Sequence, residues 1–392
     1  MKNIALGAQH LFTMFGATVV VPFLTGIPVS VALFTSGTGT LVFHLITGRQ
    51  VPAYLGSSFA FIAPILAVTS YHAAEGDQAT ALAYATGGIM CVGPVYMLFA
   101  WIVRTIGMDR VSKVFTPLIS GTMIMLIGLI LAPVAIEMAS ENWILALVAI
   151  ATMVITKLYL KGFASMLPVL TGIFAGYLLA LLTGNISYEF SGYISFPAFQ
   201  LPRFSLYALS IILPAAIAPA IEHIGDIYAI SMVTEKPYYK KPGMHRTLFG
   251  DGLATAIAGL LGGPANTTYS ENTGVLAFTG AYNPVIMRIA AVFAIVMSFI
   301  PAVEAAIMSI PQAVMGGVTI ILFGMIAAVG ANTLVKNQVI LHDKNIILMS
   351  LMLIAGLGGA VLAYGNFSLQ GLGLAAVVGV AGQMVLRGRK TA

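Results

Sequence analysis

Long apolar runs, nearly free of charge, recur from one end of this chain to the other, and they leave it no way to fold in water. Only 8% of the 392 residues are charged and 59% are hydrophobic, against roughly 25% charged in a soluble globular domain. Such a chain cannot cover itself with a solvated surface, so it is integral to a membrane. A spanning helix needs about 20 mostly apolar residues. Fourteen runs qualify, near 3–23, 28–46, 55–70, 79–103, 113–133, 143–160, 166–184, 205–230, 247–262, 271–281, 284–301, 313–331, 345–363 and 370–387. The first run carries Gln9, His10 and Pro22 and leads into more membrane, unlike a cleavable signal peptide. Cys91 is the only cysteine. An intramolecular disulfide is excluded, and a buried, inert thiol is expected.

The charges that remain are sorted by side. With the N-terminus inside and fourteen alternating spans, 17 of the 18 Lys and Arg residues fall inside, and Arg203 alone falls outside. Arg389, Lys390 and Lys157 are among those inside, while Glu75, Asp77, Glu137, Glu141, Glu189 and Glu304 fall outside. A miscounted span would flip every later loop and scramble this separation. The positive-inside rule therefore predicts an even count and cytoplasmic termini. The net charge of +5 reflects orientation, and no nucleic-acid partner is implied.

The two halves resemble each other locally. At an offset of 212, Pro52 meets Pro264, Ala53 meets Ala265, Ser58 meets Ser270, Phe59 meets Glu271 and His10 meets Glu222. Seven spans per half, an odd number, make the second repeat inverted relative to the first, an architecture on which many secondary transporters are built. Both matched segments are poor helix: Gly56, Ser57 and Ser58 follow Pro52, and Thr267, Thr268, Tyr269 and Ser270 follow Pro264. Short extended breaks are expected in the third and tenth spans, after which a short helix resumes. Non-helical backbone at membrane depth survives only inside protein or beside a water-filled cavity. There it would present N–H and C=O groups and a helix N-terminus to a ligand. A packed kink is the competing reading.

Few ionisable residues lie well inside the runs: His10, Glu222, His223, Asp226 and Glu271. Each charge at the bilayer centre costs at least roughly 2.5–3.5 kcal/mol, so a functional site is the default reading. Glu222 and Asp226, at i and i+4, share one helix face and can approach one cavity. Two close carboxylates do not both ionise comfortably in a low dielectric, so one is expected to hold a proton, as a proton-coupled carrier requires. His223 points about 100° away and reads as a packed or interhelical hydrogen-bonding residue. Glu271 opens the short tenth span; its carboxylate can cap the helix dipole or accept hydrogen bonds from the ring N–H groups of a planar neutral ligand. Asn272 could orient it. His10 reads either as a polar partner for a carboxylate or as a bundle histidine. Asp251, just past Arg246, reads as paired with a base or exposed. His44, His72, His245 and His342 lie at run ends or in loops. The sequence holds no metal-ligand spacing, phosphate loop or Gly-x-Ser-x-Gly elbow, so neither cofactor nor metal is expected.

Gln9-His10 followed by Leu-Phe-Thr-Met-Phe-Gly-Ala-Thr-Val-Val-Val-Pro, then Gly56-Ser57-Ser58-Phe59-Ala60-Phe61, resembles the nucleobase–ascorbate transporters. Glu271-Asn272-Thr273-Gly274 with Thr279-Gly280 is similar to that family's Glu/Gln-Asn-x-Gly-x4-Thr-Arg/Lys/Gly motif, and Glu222-His223-Ile224-Gly225 resembles the eighth span of bacterial uracil permeases. The resemblance implies an all-α membrane fold of fourteen spans in two inverted repeats of seven. It also implies a core domain (1–106 and 201–303) that holds substrate and a gate domain (107–200 and 304–392) that supports a homodimer. By that resemblance Glu222 and Glu271 bind the base, backbone at Phe59 and Ser270 contacts it, and Tyr269 lines the pocket beside Ser58. Glu222, Asp226 and His10 would serve proton coupling. Uracil permeases carry histidine where this chain has Asp226; an aspartate is more like the xanthine and uric acid carriers, which usually have glutamine at the position of Glu271.

The function expected is therefore proton-coupled nucleobase import across a bacterial inner membrane by an elevator-like movement of core against gate, with uracil as the base and a purine such as xanthine as the alternative. An anion carrier of the same fold is disfavoured by three acids without an intramembrane Lys or Arg. An intramembrane enzyme is disfavoured because no nucleophile or metal set accompanies the carboxylates.

Overall fold

The computed structural model describes residues 2–73, 76–184, 186 and 192–387; Glu75, Glu189, Arg389 and Lys390 lie outside the described residues, and Ser270 is placed by its backbone. In the first half, α1 (Lys2–Thr25) and α2 (Val29–Ile46) precede β1 (Leu55–Ser57), and a 3-10 turn at Phe59–Phe61 runs into α3 (Ile62–His72). There follow α4 (Gln78–Ile106), α5 (Met108–Val111), α6 (Pro117–Ser140), α7 (Trp143–Tyr159) and α8 (Pro168–Leu182). The second half holds α9 (Leu206–Ala215), α10 (Ile217–Thr234), α11 (Met244–Leu260), β2 (Asn266–Thr268), α12 (Ser270–Thr279), α13 (Pro284–Ser298) and α14 (Pro301–Met308). It closes with α15 (Gln312–Lys336), α16 (Asp343–Leu357), the hairpin β3 (Val361–Tyr364) and β4 (Phe367–Gln370), and α17 (Gly371–Arg387).

Helices begin where the sequence supplies a cap. Asp77 accepts from Thr80 N at 2.9 Å at the start of α4, and Asn142 accepts from Ile144 N at 3.1 Å at the start of α7. Proline occupies the first turn of α6, α8, α13 and α14, where its missing N–H costs nothing. Among the described residues six helices are long and apolar enough to cross a membrane, counting α9 and α10 as one, or seven if the bent α13–α14 pair is one span. Together with the shorter apolar helices they make a multi-pass membrane bundle.

All fourteen apolar runs carry helix, and three of them need correction. The run at 205–230 is interrupted at Ala216, where Pro219 cannot donate to the carbonyl of Ala215. The run at 284–301 ends at Ser298, and the chain bends by 83° into α14. The run at 345–363 stops at Leu357, because Gly358 and Gly359 break the helix and Val361–Tyr364 pair with β4 as an exposed hairpin. Cys91 is half-buried instead of enclosed. Glu304, expected as a loop acid, accepts from Val29 N at 2.9 Å and so caps α2.

The helices pack as two sets. In one, α4 lies on α11 and α9, and α2 and α1 lie on α13. In the other, α6 lies on α15, α7 on α8 and α15, and α16 on α17 and α6. Each set contains a close backbone crossing that glycine permits. A Cβ on Gly252 would lie 2.9 Å from the Gly93 carbonyl oxygen, and one on Gly330 would lie 2.6 Å from that of Gly121.

Candidate functional site

Two short strands cross within the first set. β1 and β2 pair antiparallel, Leu55 with Thr268, Gly56 with Thr267 and Ser57 with Asn266, and every residue of both is buried. The extended breaks expected from the sequence are present, and they satisfy part of each other's hydrogen-bonding need. Polar side chains on the flanking helices satisfy the rest, as backbone at membrane depth requires. On α2, Thr40 Oγ1 accepts from Leu55 N at 2.9 Å, Ser36 Oγ donates to Leu55 O at 2.6 Å, and the His44 ring nitrogen Nε2 lies 3.0 Å from Ala53 O. On α11, Thr255 Oγ1 donates to Asn266 O at 2.8 Å. Asn266 Nδ2 donates in turn to Thr35 O at 2.8 Å.

The crossing sets two helix beginnings near one another. The 3-10 turn before α3 starts at Phe59, and α12 starts at Ser270 with Glu271 in its first turn. Unpaired N–H groups at such ends carry partial positive charge. Between them and the second helix set lies a cavity of about 240 Å3, lined by Phe59, Glu222, Thr267, Thr268, Tyr269 and Glu271 on one side. Ile124 and Ile127 of α6 and Leu322, Met325, Ile326 and Val329 of α15 close the other side. Phe59 meets Phe323 edge to face at 6.2 Å, so aromatic contact joins the two sets beside the cavity. Tyr269 is held by its hydroxyl, which donates to Ser57 O at 2.9 Å. Four of the nine residues singled out from the sequence therefore line one cavity by their side chains: Glu222, Glu271, Phe59 and Tyr269. Ser270 opens α12 between Tyr269 and Glu271.

The others stand behind it. Asp226 lines no part of the cavity; it is buried and accepts from Thr268 Oγ1 at 3.0 Å, so Thr268 stands between it and the cavity. The shared helix face of Glu222 and Asp226 is real, but the crossed strands cover its second position. Asn272 is fully buried and donates to Pro52 O at 2.9 Å, tying α12 to the segment before β1. His10 is fully buried on α1, with Asn272 beside its ring as a side-chain hydrogen-bond partner. Ser58 Oγ is buried without a hydrogen-bond partner.

Of the two readings of Asp251, paired with a base or exposed, the structure bears out the first. The Asp251 side chain is fully buried, with Oδ2 at 3.3 Å from His223 Nδ1, which also lies 3.3 Å from Thr268 Oγ1. A chain of polar groups thus runs Asp251–His223–Thr268–Asp226 behind the cavity. The available signal was position: five residues past Arg246, between Gly250 and Gly252, Asp251 is already inside α11. Among the described residues no cluster of His, Cys, Asp or Glu has the arrangement to hold a metal.

A bundle of apolar helices, broken at two crossed strands around a small acidic cavity, defines a membrane transporter. The transmembrane domain of a cyanobacterium bicarbonate transporter has the same fold, with a TM-score of 0.67 over 97% of this chain and 96% of that one, at 17% identity. A family model described as a permease family matches residues 1–364. The probable uracil permease of Haemophilus influenzae is 41% identical over 399 residues, 98% of this chain and 94% of that protein. The uracil permease of Bacillus caldolyticus is 41% identical over 409 residues, 99% and 93% of the two chains. The chain belongs to this permease family, that of the nucleobase–ascorbate transporters.

Proposed function

We propose that this protein imports uracil together with a proton across a bacterial inner membrane. The observation that carries the reading is the cavity bounded by Glu222 and Glu271 in a chain of this family. At about 240 Å3 it is smaller than the roughly 300–1,000 Å3 of a drug-sized pocket and suits a small planar base. Uracil presents ring N–H donors and carbonyl acceptors. The two carboxylates supply acceptors for the N–H groups, and the helix beginnings at Phe59 and Ser270 supply backbone donors toward the carbonyls. Phe59 and Tyr269 contribute aromatic surface. A proton taken up with the base neutralises part of the charge that the site would otherwise carry through the membrane. Glu222 is the group to hold it, with Asp226 acting through Thr268 and His10 through Asn272.

Access alternates, in this reading, by movement of a core (1–106 and 201–303) against a gate (107–200 and 304–392), each built from both of two inverted seven-span repeats. The packing pairs support the repeat. Exchanging each span for its counterpart seven spans on turns α2 on α13 into α11 on α4, α1 on α13 into α9 on α4, and α7 on α15 into α16 on α6. β1 on β2 and α6 on α15 map onto themselves. Charge sorting along the sequence supports cytoplasmic termini, and the gate face would carry a homodimer contact.

A purine such as xanthine is the second reading, and Asp226 in place of the uracil permeases' histidine favours it. Uptake of radiolabelled uracil and xanthine into proteoliposomes, each competed by the other, separates the two. Uracil uptake driven by an inward proton gradient is the expected result. Uptake of neither base removes the nucleobase reading, and uracil accumulation indifferent to the gradient removes symport.

A further inference from the structure

A second cavity, of about 230 Å3, adjoins the first. Glu271, Leu322 and Met325 line both, so the two meet at the Glu271 carboxylate. The second is walled by Thr13 and Ala17 of α1, by the segment Ser165–Leu170 leading into α8, and by Lys157 in the last turn of α7. Lys157 and Glu271 are the only charged side chains among its lining residues. They belong to different helix sets: α7 packs on α8 and α15, whereas α12 packs on α10 and α1.

We infer that Lys157 is the gate-side counterion of Glu271, pairing with it in the unloaded carrier and yielding it to the base on loading. With uracil bound, the ring N–H groups satisfy the Glu271 oxygens. Once the base departs, that carboxylate loses those donors in a low-dielectric cavity, a costly state. A lysine places its charge on a flexible four-carbon stem, and this one opens onto the same cavity. Pairing then competes with rebinding, and because Lys157 stays on the gate while Glu271 moves with the core, the pair holds the empty carrier until it breaks. The bland alternative is a lysine that only marks the cytoplasmic end of α7 and reaches into lipid headgroups. That role would give no coupling to Glu271.

The inference rests on the uracil reading, and the test separates the two. Wild-type uptake of uracil tests that reading alone. Counterflow requires only the loaded carrier to cross, whereas net uptake also requires the empty carrier to return. Because the pair must break before the empty carrier crosses, Lys157→Gln should keep counterflow near wild type, raise net uptake several-fold and bind uracil more tightly; Lys157→Arg should behave as wild type. A fall in net uptake, equal changes in both assays, or no change in either overturns the inference. In the unmutated protein, uracil should speed modification of Lys157 by an amine reagent several-fold while Lys161, in the following loop, is unchanged. A rate at Lys157 indifferent to uracil overturns it as well, whatever the variants do.

Discussion

Glu271 is the residue on which the chemistry converges, because it ends a broken segment, opens a helix and touches both cavities. A charge-assisted hydrogen bond contributes about 1.5–3 kcal/mol, so Glu271→Gln should weaken uracil binding by roughly ten- to a hundredfold. Equilibrium binding to the purified protein measures this, with xanthine alongside to detect a shift toward purines. Unchanged uracil affinity would remove Glu271 from the site. His223 has a different task. Its ring is the described neighbour of the buried Asp251 carboxylate, and removing one member of a buried polar pair typically costs about 3–5 kcal/mol. His223→Phe should therefore lower thermal stability sharply, even in uracil-free protein. A variant that melts with wild type would show that Asp251 is satisfied without it.

At the scale of elements, the site depends on β1 and β2 lying close together at membrane depth. Gly56 makes that approach possible: a Cβ there would fall 2.5 Å from the Tyr269 ring. Gly56→Val must push apart β1 and the residue that carries the pocket's tyrosine. Overpacking of this kind costs about 1–3 kcal/mol and should be accompanied by loss of uracil binding. Thermal unfolding and binding of the same preparation report both. Retained affinity with lowered stability would mean that Tyr269 can retreat without disturbing the cavity. The two breaks were legible in Pro52 and Pro264 and in the run of Gly, Ser and Thr after each, because those residues neither sustain a helix nor tolerate lipid. That the two breaks pair with each other was not legible. Three residues on either side, most of them polar or glycine, have no alternation to set a register; the flanking Ser36, Thr40 and Thr255 set it.

Across the whole molecule, two helix sets meet along a largely apolar seam, with Phe59 against Phe323 and the cavity beside them. Each set is joined within itself by glycine crossings, at Gly93–Gly252 and Gly121–Gly330, whereas side chains as large as phenylalanine occupy the seam. Rigid bodies that slide on such a seam should keep exchanging uracil when no gradient exists. Collapsing the proton gradient in proteoliposomes is therefore expected to abolish accumulation of uracil while counterflow continues. Loss of both together would tie the proton to the crossing itself instead of to the direction of net flux.

Sequence alone determined that this chain lives in a membrane, where its helices run, which two segments break, and that Glu222 and Glu271 are its exceptional charges. These follow from local composition: apolar length, helix-breaking residues and the cost of burying an ion are all readable along one strand of chain. The tertiary structure decided which of the rare polar groups share a cavity. It set Asp226 behind Thr268, buried Asp251 against His223, and brought Lys157 to the cavity that Glu271 shares. Those outcomes depend on helices far apart in sequence meeting at particular depths and rotations, and a residue's own neighbours in the chain carry no record of that meeting.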